Sequence, residues 1–146
     1  MRELPRQLTA DELAGLFEGR TALVERLAGT EDPLGNADDV LRTLTEDEKL
    51  EALAAHPVIG QREGLSAESA VEQGSDDDPA VLAELAELNR QYEERFGFRF
   101  VVFVNRRPKA EIVPVLHERL NKTRDEELDT ALSELVAIAR DRWQRA

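Results

Sequence analysis

Leu13, Leu16, Phe17, Leu23, Val24 and Leu27 recur at helical spacing, which predicts one helix opening at an N-cap Thr9 and running to Gly29. Gly15 and Gly19 are the weak points of that helix. A short apolar cluster follows at Val40, Leu41 and Leu44. Thr45 with Glu48 has the capping-box spacing and opens a helix that carries Leu50, Leu53 and Ala54 to His56. Positions 60–64 read as a polar loop, and Ser66 caps a short helix ending near Gly74. Ser75 and the acidic run Asp76, Asp77, Asp78 read as a solvated connection. Asp78 then supplies an N-cap, and Pro79 a first-turn proline, for a long helix. Leu82, Leu85, Leu88, Tyr92 and Phe96 face inward on it, and Gly97 is its stop.

Positions 98–104 read Phe-Arg-Phe-Val-Val-Phe-Val, the one β-like run in the chain. A lone strand has no sheet partner, so a buried extended segment is expected. Ile112, Val113, Leu116 and Leu120 mark a further helix whose beginning Pro114 obscures, because proline removes an interior hydrogen bond. Thr123 and Glu126 repeat the capping-box spacing, and Leu128, Leu132, Leu135, Val136 and Ala139 lead on to Arg142 and Trp143. The pattern predicts an all-α fold: a compact single-domain helical bundle over 1–146 with one buried extended segment.

At 146 residues such a domain buries about 70% of its unfolded surface, enough for a real core. The formal net charge is −12, from 19 basic and 31 acidic residues, which argues against nucleic acid or an anionic membrane as partner. No run approaches the ~20 apolar residues of a membrane span, and no signal-peptide pattern opens the chain. Cysteine is absent, which excludes a disulfide framework and fits a reducing cytosol, so a cytoplasmic protein is expected.

Candidate chemistry centres on His56, one of two histidines. Pro57 pushes it out of the helical region, so 52–55 can be helical while His56 is extended, a stiff presentation point for a proton-transfer group. Ser69, Glu72 and Gln73 fall at i, i+3 and i+4, so a hydroxyl, a carboxylate and an amide share one helix face. By itself that face reads as a solvated stripe. Arg142 ends an apolar stripe, and two readings stand for it: a snorkelling cover on the core edge, or a planar clamp for a carboxylate or ureido group. His117, beside Val113 and Leu120, reads as a surface or partly buried histidine. No first-row metal signature, phosphate loop or nucleophile elbow is present, so no metal is expected.

Three motifs join these residues in order. They are His56, Pro57, Val58, Ile59, Gly60; then Ser69, Ala70, Val71, Glu72, Gln73; then Leu88 and Asn89 with Tyr92, running into Arg95 through Val101. The tail adds Arg119, Leu120, Asn121, then Glu127 and Leu128, then Ile138, Ala139, Arg140, Asp141, Arg142. Together they resemble the 2-oxo-4-hydroxy-4-carboxy-5-ureidoimidazoline (OHCU) decarboxylases of urate breakdown, over nearly the whole chain. Val58, where many bacterial relatives carry Arg, and Trp143, where Leu is commoner, depart from that pattern.

The resemblance implies an all-helical homodimer that decarboxylates OHCU to (S)-allantoin without a metal or organic cofactor. It implies catalytic roles for His56, Glu72 and Arg142. It also implies substrate contacts at Pro57, Ser69, Gln73 and, through backbone groups, Phe100 and Val101. The alternative of another class is an acidic helical interaction module without activity.

Overall fold

Threonines start most of the helices, because a side-chain oxygen at the N-cap satisfies an amide that the first turn leaves open. In the computed structural model, which describes residues 7–57 and 78–145, helix α1 spans Ala10–Phe17 with a full capping box between Thr9 and Glu12. Helix α2 (Ala22–Ala28) is capped by Thr21, α3 is Ala37–Thr43, and α4 (Glu46–Ala54) carries the predicted box of Thr45 and Glu48. Helix α5 spans Pro79–Phe96 from an Asp78 cap, α6 spans Lys109–Leu120, and α7 spans Arg124–Arg145, with Thr123 and Glu126 exchanging the box hydrogen bonds at its start. The described residues are helical with no strand, so the all-α class stands.

They fall into two units, one from Met1–His56 and Leu132–Ala146, the other from Pro57–Ala131. In the first, α2 packs on α1, α3 and α4, and Leu13, Phe17, Leu23, Leu27, Leu34, Leu53, Leu135 and Ala139 are buried. In the second, α5 packs on α6, and Tyr92, Phe96, Phe98 and Phe100 form one aromatic cluster with ring centroids 4.7–6.0 Å apart.

One expectation changes. The helix expected from Thr9 to Gly29 is two helices: Glu18 takes a left-handed conformation (φ 66°) that ends α1, and Thr21 starts α2 anew. On α4 it is Ala52 and Leu53 that bury, while Ala54 is exposed. The beginning that Pro114 obscured is at Lys109: Pro108 precedes the first turn, and Pro114 lies inside α6. After a bend at Phe98, the run to Val104 is outside any helix and has no sheet partner among the described residues, with Phe98, Phe100, Val101, Val102 and Val104 buried, as expected of a buried non-helical segment. The expected loop at 60–64, the Ser66 helix and most of the acidic run lie outside the described residues. No helix among the described residues is long and apolar enough to cross a membrane.

Candidate active site

His56 follows α4 immediately. The helix ends at Ala54, Ala55 and His56 form a turn, and the His56 amide donates to the Leu53 carbonyl at 3.2 Å. Proline disfavours the helical region for the residue before it, and His56 stands outside α4 as expected, though in a bend closed by that bond rather than in an extended stretch. The ring is not a surface group: His56 is 7% exposed, with Nδ1 fully buried. Burying a titratable imidazole without a function is uncommon enough to mark the position.

Arg142, near the end of α7, is buried as well, its side chain 1% exposed. The snorkelling reading requires a guanidinium in water, so burial excludes it. Nη1 donates to the Leu16 carbonyl at 3.0 Å, and Nη2 donates to Glu18 Oε1 at 2.9 Å. Leu16 lies in the last turn of α1, and Glu18 opens the turn that separates α1 from α2. The same turn meets α4: a Cβ built on Gly19 would lie 3.4 Å from the Ala55 Cβ, and the Glu51 carboxylate accepts the Ala22 amide at 2.7 Å. The turn therefore bonds Arg142 on one side and abuts the residue preceding His56 on the other.

Phe100 and Val101 sit in the buried extended run of the second unit. Their setting is built around Arg119, whose Nη1 donates to the Val101 carbonyl at 2.7 Å and whose guanidinium carbon stands 4.6 Å from the Phe100 ring centroid. Glu127 Oε1 accepts from Arg119 Nε at 2.7 Å and from the Tyr92 hydroxyl at 2.6 Å. Burial, then the bond to Glu127, push the Tyr92 phenol above its ordinary range, so it stays a neutral donor. Further along, Arg107 donates to the Phe103 and Val104 carbonyls and closes a turn in which Asn105 and Arg106 both take positive φ.

His117 is exposed and lies 3.6 Å from Glu84, a surface histidine as expected. Among the described residues no cluster of His, Asp or Glu is arranged to hold a metal ion. Ser69, Glu72 and Gln73 lie outside the described residues, and Pro57 is half-buried. Periodicity gave no sign of Glu18 as the partner of Arg142, nor of the joining of Arg119 to Glu127 and Tyr92. The only trace of the latter is the presence of all three residues in the motifs that carried the family resemblance.

Residues 2–144 match the model of the OHCU decarboxylase family. A bifunctional uric acid degradation protein of Bacillus subtilis is 29% identical over 97% of this chain, which spans 31% of that relative's length. A 2-oxo-4-hydroxy-4-carboxy-5-ureidoimidazoline decarboxylase of Halalkalicoccus jeotgali is 26% identical over 95% of this chain and 85% of its own. Among solved structures, a crystal structure of OHCU decarboxylase in the presence of (S)-allantoin superposes with a TM-score of 0.75, at 26% identity, covering 90% of this chain and 94% of that one. By sequence and by fold, the chain belongs to the OHCU decarboxylase family.

Proposed function

We propose that this chain decarboxylates OHCU to (S)-allantoin in urate degradation, with His56, Glu72 and Arg142 as its catalytic residues. Pro57, Ser69, Gln73 and the backbone of Phe100 and Val101 contact the substrate. The observation that carries the reading, beside the family match, is that His56 and Arg142 are both buried, and that the turn whose Glu18 bonds Arg142 abuts Ala55, the residue before His56. A decarboxylase of this kind needs polar groups held away from water, where their dipoles and charges act at full strength.

When the C–CO₂ bond breaks, its electron pair stays on the ring carbon. The conjugated ureidoimidazoline takes up that pair itself, so the chemistry requires no external electron sink. The pair moves into the adjacent ring C=N bond, whose nitrogen takes a proton and leaves a C=C bond beside the hydroxyl. The hydroxyl then becomes a carbonyl as its proton leaves, and a second proton arrives on one face of the neighbouring carbon to set the (S) centre. The protein supplies orientation and charge. His56 hydrogen-bonds the hydroxyl or carboxylate and directs the cleavage. Glu72 orients the ring nitrogens or His56, and Arg142 anchors the anionic or ureido end. A placed proton-transfer group contributes about 10²–10⁴-fold.

The extended run 98–104 supports a backbone role for Phe100 and Val101. Segments outside helices and sheets have backbone groups that no ladder takes up. The Val101 carbonyl already accepts from Arg119, so the groups proposed to meet the ligand are the Phe100 backbone and the Val101 N–H. The enzyme works as a cytoplasmic homodimer, and its net charge of −12 disfavours nucleic-acid and membrane partners. The test is to mix the protein with freshly generated OHCU and follow (S)-allantoin by its circular dichroism. An (S)-enriched product formed well above the spontaneous rate is expected. A racemic product at the spontaneous rate would reject the reading.

A further inference from the structure

Glu18 stands in a conformation that an L side chain rarely adopts. At the C-terminus of α1 its backbone is left-handed (φ 66°, ψ 17°), a place that glycine or asparagine normally takes, and a glycine is available one residue later at Gly19. Strain of this kind persists only where the surroundings hold it, and it clusters at functional sites. Here it comes with a specific result. The turn aims a side chain that is 15% exposed at a guanidinium that is 1% exposed, closing a 2.9 Å bond between Glu18 Oε1 and Arg142 Nη2. The Leu16 carbonyl, two residues earlier in the last turn of α1, takes Nη1 at 3.0 Å, so the C-terminal end of α1 and its cap together grip both terminal nitrogens of the fork.

A planar guanidinium held at two nitrogens has its plane and direction set, which a single contact cannot do. We propose that Glu18 is a positioning residue for the decarboxylation: it fixes the plane of Arg142 and balances its charge, so that the arginine presents a preformed anchor to the anionic substrate. This rests on the reading of Arg142 as a substrate anchor. Glu18 itself touches no reacting atom.

The test is steady-state kinetics of the full chain with Glu18→Gln, Glu18→Gly and Arg142→Ala, beside thermal melts. Glu18→Gln keeps the length and an acceptor oxygen but removes the charge. Glu18→Gly removes the carboxylate and also relieves the left-handed strain. Both are expected to lower kcat/KM about 10- to 100-fold, chiefly through a raised KM, with Glu18→Gly the weaker enzyme. A purely structural role would instead leave KM unchanged and lower kcat only by the fraction of protein unfolded. If Glu18→Gln fails to fold, Glu18→Gly, which accepts the turn without strain, decides. Wild-type KM in the folded Glu18 variants with Arg142→Ala inactive would overturn the inference and leave the reading of Arg142 standing. Wild-type activity in Arg142→Ala would overturn that reading itself.

Discussion

Replacing Glu127 by Ala tests how the second unit holds its extended segment. The Glu127 side chain is 1% exposed and that of Arg119 is 8% exposed, so the pair is shielded from water. One oxygen of Glu127 accepts both Arg119 and Tyr92, at 2.7 and 2.6 Å. Without it, a guanidinium remains buried with no counter-charge beside the Phe100 ring, and the Tyr92 hydroxyl loses its acceptor. Breaking a buried pair by removing one partner costs about 3–5 kcal/mol. For a chain of this size that is a fall in Tm of about 6–20 °C. Urea unfolding followed by circular dichroism measures it, with an unchanged m-value certifying that stability alone has moved. The control is the double replacement Arg119→Met with Glu127→Leu, which removes both charges at similar volume. Buried pairs exchanged for apolar groups are often neutral, and Arg119 Nη2 already has no hydrogen-bond partner among the described residues. The double variant is therefore expected to recover more than half of the loss. A loss below about 1 kcal/mol for Glu127→Ala, or a double variant less stable than the single, would refute the reasoning.

Arg142→Lys replaces a two-nitrogen grip on Leu16 and Glu18 with a single nitrogen. Each lost charged hydrogen bond costs about 1.5–3 kcal/mol, so kcat/KM is expected to fall on the order of 10- to 100-fold, and a melt is expected to show lower stability as well. Glu72→Gln is expected to lower kcat, and Gln73→Ala to raise KM, in steady-state assays; equal and negligible effects would return both to a solvated stripe. Acid stability has a definite sign. The Thr45 amide at Glu48, the Thr123 amide at Glu126 and the Arg90 guanidinium at Glu87 hold these carboxyls below the ordinary value of 4.5, with Glu87 at about 2. Their contribution is present above pH 4.5, where unfolded carboxylates are ionised, and is lost as pH falls toward about 2. Denaturation between pH 5 and pH 2 is expected to show this slope, and Glu48→Gln with Glu126→Gln is expected to flatten it.

What could be read in advance was largely local. Thr9, Thr45, Thr123 and Asp78 cap helices because their oxygens reach amides two or three residues away, and such spacings are visible in sequence. The break at Glu18 was hidden because Leu13, Phe17, Val24 and Leu27 keep helical phase across it, and because a glutamate occupies the left-handed position. Pro114 left the start of its helix open, since the helix around it runs through a proline that usually ends one. Of the candidate site, His56 was marked by Pro57 and Arg142 by its place on an apolar stripe. Their roles came from the family resemblance rather than from periodicity. Glu18 lies 124 residues from Arg142 in the chain, and Glu127 meets Arg119 and Tyr92 from another helix. Pairings of that kind depend on packing, which no local pattern encodes.

The account stands most directly on one comparison: progress curves of OHCU decay to (S)-allantoin for the wild-type protein, His56→Ala and His117→Ala, each shown folded by circular dichroism. Both replacements remove an imidazole, one buried at the end of α4 and the other exposed on α6. The wild-type protein and His117→Ala are expected to accelerate formation of the (S) product alike, while His56→Ala leaves only the spontaneous, non-stereoselective decay. Near wild-type acceleration by folded His56→Ala would contradict the account at its centre.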